Sequence, residues 1–152
     1  MNYWLIKSEG DCYSIDDFAR DRCVPWTGIR NYQARNMMRD DMQIGDKVLF
    51  YHSNGTPSGI YGLAEVASAP HPDETQFDPK DDHYDPKSTK AAPIWICVDM
   101  AFVKKFKEPV SLDAIKFDPA LDGMVVRMKG SRLSVQPVSA AHYKYIVSKM
   151  AK

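Results

Sequence analysis

Residues 3–7, YWLIK, make a short aromatic and branched apolar run that gives way to the polar SEGD, the pattern of a buried strand ending in a turn. Ser14 followed by Asp17 reads as a capping box, which predicts a short helix from Ile15 to about Asp21, closed off before Pro25. In NYQARNMMRDDM (31–42), Tyr32, Met38 and Met42 fall near one face, which predicts a second short helix stopping before Gly45-Asp46. KVLFYHS follows as a strand. Residues 53–59, SNGTPSG, part KVLFY from IYGLAEV and predict a β-hairpin, with Gly62 marking a bulge or a close backbone approach.

Between Ala69 and Pro93 the pattern lapses. Five prolines and the near-repeat of FDPK in YDPKS resist any regular element, so a surface loop is expected, ordered through Phe77, Tyr84 and the Asp-Pro turns. Residues 94–106 then read as a long strand, SLDAIKF as a helical turn or two, and GSRLSVQPV (130–138) as a late strand. Ser139 caps a closing helix in which Tyr143, Ile146, Val147 and Met150 recur at helical spacing. Short strands interrupted by short helices, with no regular strand–helix–strand alternation, predict an α+β chain built on a small barrel-like sheet.

Length and composition sharpen this picture. At 152 residues, 44% hydrophobic and 26% charged, the chain fits a single folded domain spanning 1–152. Twenty basic and twenty acidic residues cancel, which excludes a protein that coats nucleic acid or membrane by bulk charge. The charge is nonetheless segregated. Six basic and no acidic residues lie between Gly123 and Lys152, and six acids face a single lysine between Ala69 and Pro86. Cys12, Cys23 and Cys97 are odd in number and far apart, as expected of reduced thiols. With no leader-like or membrane-spanning run, a cytoplasmic protein is expected, or a nuclear one in a eukaryote.

Candidate chemistry centres on Trp26. It stands between Pro25 and Thr27-Gly28 in an irregular stretch followed by Arg30, Asn31 and Arg35, a setting suited to stacking a planar base. Most of the other aromatic residues are expected in the core. Ser8, Thr27, Asn31, Ser53 and Asn54 supply donors and acceptors for a base edge. Arg132 and Ser134, on the late basic strand, would complete the pocket or reach a phosphate. Arg30, Arg35, Arg127 and Lys129 are the candidates for the nucleic-acid backbone.

The strings YWLIKSE, WTGIRNYQARN, FYHSN with GIYGLAEV, FDPK with YDPKS, and SRLSVQPV, in this order along almost the whole chain, resemble the EVE domain family. The resemblance implies a PUA-like barrel related to YTH and ASCH domains, and recognition of a modified base in DNA or RNA, or of a modified nucleoside. In YTH domains a similar strand end, loop tryptophan and hairpin start line a methylated-adenine pocket. Carried over, this implies a pocket wall of Lys7, Ser8, Trp26, Thr27, Ser53 and Asn54, with Glu9 and Gly28 beside them inside the matched strings. Gly10 departs from the proline usual there. No cofactor, no metal, no catalysis and no membrane partner are expected, and a monomer is expected.

The alternatives, a small hydrolase or nucleotide-processing enzyme using the same pocket, or a protein-interaction module, explain less. His52-Ser53 offers a base beside a nucleophile, but neighbours on a strand point to opposite faces. His52, His71, His83 and His142 lack metal spacing. The Asp-Pro-Lys units lack the EF-hand pattern, and Asx-turns account for them. A protein-interaction module using the acidic loop leaves WTGIRNYQARN unexplained.

Overall fold

Trp4, Leu5 and Ile6 are all buried, which consecutive residues of a strand achieve only when both faces of the sheet are covered. That strand is covered on both faces, although it lies one place from an edge of the sheet. The computed structural model describes residues 1–9, 13–53, 57–128 and 133–151, with Glu9 through its backbone alone. Six strands form one curled, mixed sheet: β1 (Tyr3–Glu9), β2 (Cys23–Pro25), β3 (Lys47–Ser53), β4 (Gly59–Val66), β7 (Asp99–Ser111) and β8 (Val135–Val138), in the spatial order β2-β7-β4-β3-β1-β8. β1 runs parallel to β3 and antiparallel to β8. A second, two-stranded sheet pairs β5 (His71–Pro72) with β6 (Ile96–Cys97).

Alternation along the strands sorts the core into two clusters. Trp4, Ile6, Val48, Phe50, Ala64 and Val66 join Ile15 and Phe18 of α1 (Ile15–Asp21), Ala34 of α2 (Tyr32–Asn36), and Met38. Leu5, Leu49, Tyr51, Ile60 and Leu63 join Ile115 of α3 (Leu112–Phe117) and Ile146, which follows α4 (Ala140–Tyr145). Each face of the sheet thus carries its own helices, as an α+β half-barrel of the PUA-like type requires.

The local signals act as read. Ser14 and Asp17 close a reciprocal capping box, and Asn31, Ser111 and Ser139 each cap a helix through the side-chain oxygen. Gly62 lies beside an irregularity in register, and a Cβ there would stand 2.3 Å from the Lys104 carbonyl oxygen, so only glycine fits. Two expectations change. The strand expected over 94–106 is divided into β6 and β7, and β7 runs on to Ser111 through Pro109. Its pairing with β2 ends at Ala101, so no β2 neighbour needs an amide hydrogen from the proline. The late strand is described only over β8. No helix among the described residues is long and apolar enough to cross a membrane.

The segment from 73 to 95 is ordered, but by polar groups. Tyr84 is exposed and Phe77 only half-buried, whereas Gln76 is fully buried and makes four hydrogen bonds. Its amide nitrogen donates to the Asp73 and Trp95 carbonyls, each at 2.8 Å, and its oxygen accepts from the Trp95 amide at 2.9 Å and from Ser88 Oγ. Asp78, Asp81 and Asp85 each accept from the amide two residues on, forming the expected Asx-turns.

Candidate functional site

The two edge strands of the curled sheet, β2 and β8, border one opening. A cavity of about 480 Å³ lies in this seam. Lys7 and Ser8 at the end of β1, Val24 and Pro25 of β2, and Ser134 just before β8 line it, with Trp26, Thr27 and Gly28 on the strand's continuation. Six of the residues singled out from the sequence, Lys7, Ser8, Trp26, Thr27, Gly28 and Ser134, therefore share one wall.

Others lie elsewhere. Asn31 Oδ1 accepts from the Ala34 amide at 3.0 Å and caps α2, and Ser53 ends β3 opposite Glu9; neither lines the cavity. Gly10, Asn54, Lys129 and Arg132 lie outside the described residues. The arginines assigned to the backbone are engaged within the protein. Arg30 pairs with Asp73 at 3.0 Å and binds Thr75 Oγ1 and the His83 carbonyl. Arg35 donates to the Ile94 carbonyl at 2.9 Å and to Asn36. Arg127 donates to the carbonyls of Lys116 and Asp118, capping the end of α3.

Trp26 differs from expectation in one physical respect. Its amide donates to the Val98 carbonyl at 2.9 Å, carrying the β2–β7 pairing one residue further. The ring is consequently 7% exposed, packed on Tyr13, Phe18 and Phe50 with centroids 5.9 to 6.1 Å apart. It is a core residue that also borders the cavity, rather than an indole on an open loop.

Three further residues line the wall: Ile29, inside the WTGIRNYQARN string but not singled out, and Tyr13 and His83, which carried no local signal in the sequence. Ser8 Oγ donates to the Tyr13 carbonyl, and the Tyr13 hydroxyl donates to Asp21 at 2.8 Å. Burial, then the Asp21 carboxylate, push the Tyr13 pKa well above the ordinary tyrosine range. Burial also lowers the pKa of Lys7, whose ammonium stands 5.7 Å from the Tyr51 ring centroid. Asp73 organises the far side. Its carboxylate accepts from the Gly28 amide at 2.8 Å, from Arg30, and from both the amide and the hydroxyl of Thr75. Burial alone would raise its pKa, but the hydrogen bonds from Thr75, Gly28 and Arg30 outweigh it and hold the carboxyl below the usual range.

Two nucleophile arrangements lack the chemistry. Cys97, His71 and Asp99 lie in sequence, with His71 Nε2 at 2.8 Å from Asp99 and the sulfur 3.8 Å from Nδ1. Burial, then the acids Asp73 and Asp99, push the Cys97 thiol to about 12, opposite to an activated thiolate. His52 packs edge-on against Tyr61, and among the described residues its two buried ring nitrogens make no hydrogen bond, to Ser53 or any other.

The model of the EVE domain family matches residues 2–149. The chain belongs to the EVE domain family. Among curated EVE relatives, rat thymocyte nuclear protein 1 is 38% identical over 97% of this chain and 73% of its own length. A hypothetical protein from Leishmania major superposes with a TM-score of 0.92 at 46% identity, over 97% of this chain and 92% of its own. Human THYN1 protein, solved in complex with 5-methylcytosine-containing DNA, superposes with a TM-score of 0.90 at 34% identity, over 97% of this chain and 96% of its own.

Proposed function

We propose that this EVE domain is a non-catalytic reader of a modified base in DNA, acting as a monomer and holding the base in the seam cavity. One observation carries the reading: strings distant in sequence, YWLIKSE, WTGIRNYQARN and SRLSVQPV, deliver Lys7, Ser8, Trp26, Thr27, Gly28 and Ser134 to one cavity. Its volume falls within the range of about 300 to 1,000 Å³ usual for small-ligand sites. The likeness to the human protein, whose complex holds 5-methylcytosine DNA, supports DNA as the polymer. A base reaches such a cavity by leaving the stack, which costs a few kcal/mol in a duplex and less in a single strand.

The polar wall atoms and the indole divide the work. Thr27 and Ser134 hydroxyls each offer a donor and an acceptor to a base edge, while Trp26, Val24 and Ile29 offer apolar surface to the ring and its added group. Burying one methyl group is worth about 0.8 kcal/mol, or about fourfold in affinity.

Fluorescence anisotropy with strands of one sequence tests the reading: DNA with 5-methylcytosine, DNA with cytosine, and the RNA counterparts. The modified DNA should bind at least about fourfold tighter than the plain strand. Because Arg30, Arg35 and Arg127 are engaged internally, log affinity should fall with log salt by a slope of only about 1 to 4. Equal affinity for all four strands would sink the proposal, preference for the RNAs would move the polymer, and turnover to a product would make the domain an enzyme.

A further inference from the structure

Arg20, Arg30, Arg35, Arg39 and Arg127 each hold a carboxylate or a carbonyl of their own chain. Arg22 does not. Among the described residues its exposed guanidinium makes no hydrogen bond or ion pair, and its Cζ lies 5.9 Å from the Phe102 ring centroid. Its backbone is equally unusual. Arg22 closes α1 at a φ of +70°, the one described residue other than glycine with a left-handed φ, where glycine is the ordinary choice. Two main-chain bonds hold it there. Its amide donates to the Phe18 carbonyl at 2.9 Å, and its carbonyl accepts from the Phe102 amide at 2.7 Å. The turn thus fixes the root of the side chain, and the Phe102 ring lies against its charged end.

That charge lies on the cavity's side of the sheet. Phe102 packs against the same core cluster as Tyr13, Val24 and Ile29, which line the cavity. Val24 stands two residues beyond Arg22, about 7 Å along the strand. In the other direction the edge of the sheet passes to β7, which among the described residues has no strand beside it after Ala101 on that side. Lys104 and Lys107 are exposed there and make no ion pair among the described residues, while Lys105 is held by Asp16. A positive track therefore starts two residues from the cavity wall and follows β7 from Phe102 to Lys107, for about 16 Å more. We infer that Arg22 holds a backbone phosphate of the bound strand, which leaves the cavity along β2 and lays further phosphates against Lys104 and Lys107. This rests on the base-binding reading proposed above. A guanidinium suits the task because its planar fork matches two phosphate oxygens, and one already lying against a ring has less freedom to lose.

Phosphate contacts do not tell one base from another, so salt dependence and base preference are read together. The probes are single-stranded DNA with one central 5-methylcytosine and its cytosine counterpart, followed by anisotropy over a range of salt. Arg22→Gln should weaken both strands alike, about fivefold near 0.1 M salt, and keep the preference between them. It should also lower the slope of log affinity against log salt by about 0.7, the loss of one phosphate contact. Lys104→Gln and Lys107→Gln made together should lower it by about 1.4. Arg39→Gln, which removes a guanidinium already held by Asp40, should change neither quantity. Arg22→Gly relieves the backbone, so it should melt no lower than the wild type and still lose the same slope. An unchanged slope in Arg22→Gln overturns the inference, and so does an equal loss in Arg39→Gln, which makes the effect one of bulk charge. A changed preference in Arg22→Gln gives Arg22 to the base and overturns the phosphate contact. An unchanged slope in the double variant overturns the track beyond Arg22 and leaves the lysines as guards of an open edge. Equal wild-type affinity for the two strands, with the slope loss in Arg22→Gln intact, removes the base reading and leaves the phosphate contact. Binding of neither strand by the wild type removes both.

Discussion

The Asp73 carboxylate accepts a hydrogen bond at 2.8 Å from the main-chain amide of Gly28, 45 residues earlier in the chain. This bond and the ion pair of Asp73 with Arg30 tie the acidic loop to the cavity wall. Removing one partner of a largely buried pair leaves the other charge uncompensated. Asp73→Ala is expected to cost about 3 kcal/mol in urea denaturation and to abolish strand binding at temperatures where the fold persists.

Asp73 also sets an acid limit. Its folded pKa is depressed below the unfolded value of about 3.9, so its stabilisation is complete above about pH 4 and is lost as the pH falls through the folded value. Melting temperatures measured from pH 7 to pH 2 should fall more steeply below pH 4 in the wild type than in Asp73→Asn. Parallel curves would show that Asp73 is not the titrating group.

Gly28 and Gly123 separate backbone strain from crowding. Both have a left-handed φ, +87° and +92°, but a Cβ at Gly28 meets the His83 ring and one at Gly123 meets none of the described residues within 4 Å. Each change to alanine should cost about 1 to 2 kcal/mol for conformation. Gly28→Ala alone should also shift the His83 ring resonances in NMR.

Trp26 bears on folding as much as on binding. Trp26→Ala should cost about 3 to 5 kcal/mol, the usual loss for a large buried aromatic side chain. Its effect on affinity is then confounded with unfolding. Trp26→Phe keeps most of the packing, so a folded Trp26→Phe that binds a modified strand as the wild type does would leave the indole to the core alone.

Gln76 is predicted to be the loop's keystone. Native wild type should resist limited proteolysis between Asp81 and Lys90, and Gln76→Leu, which forfeits four hydrogen bonds in a buried position, should be cut there within minutes. Equal resistance would place the order of the loop in its Asx-turns.

What the sequence disclosed was local. The capping box at Ser14, the hairpin around SNGTPSG and the need for glycine at 62 each depend on residues close in the chain or on their alternation. β2 escaped notice because three residues ending in proline carry no alternation, and with it went the reason that Trp26 is buried. His83 and Tyr13 escaped for a different reason. His83 takes its place on the wall through long-range partners, Arg30 and Gly28, that no window of neighbouring residues contains, and Tyr13 takes its place through the Ser8 hydroxyl five residues earlier and the rings of Phe18 and Trp26, contacts that no alternation announces. Composition counts the arginines as charge and is silent on the carbonyls of their own chain that Arg30, Arg35 and Arg127 bond.

β1 gains its two strand neighbours from very different distances, β3 about 44 residues on and β8 more than 130. Closing so long a loop is entropically slow, so this pairing belongs late in folding. Because Ser134 stands at the entry to β8 and Ser8 near the end of β1, the cavity has no complete wall until that last strand docks. A chain emerging from the ribosome would hold a nearly finished sheet and still be unable to bind, and the ability to capture a ligand would arise in one step, with the arrival of its last edge.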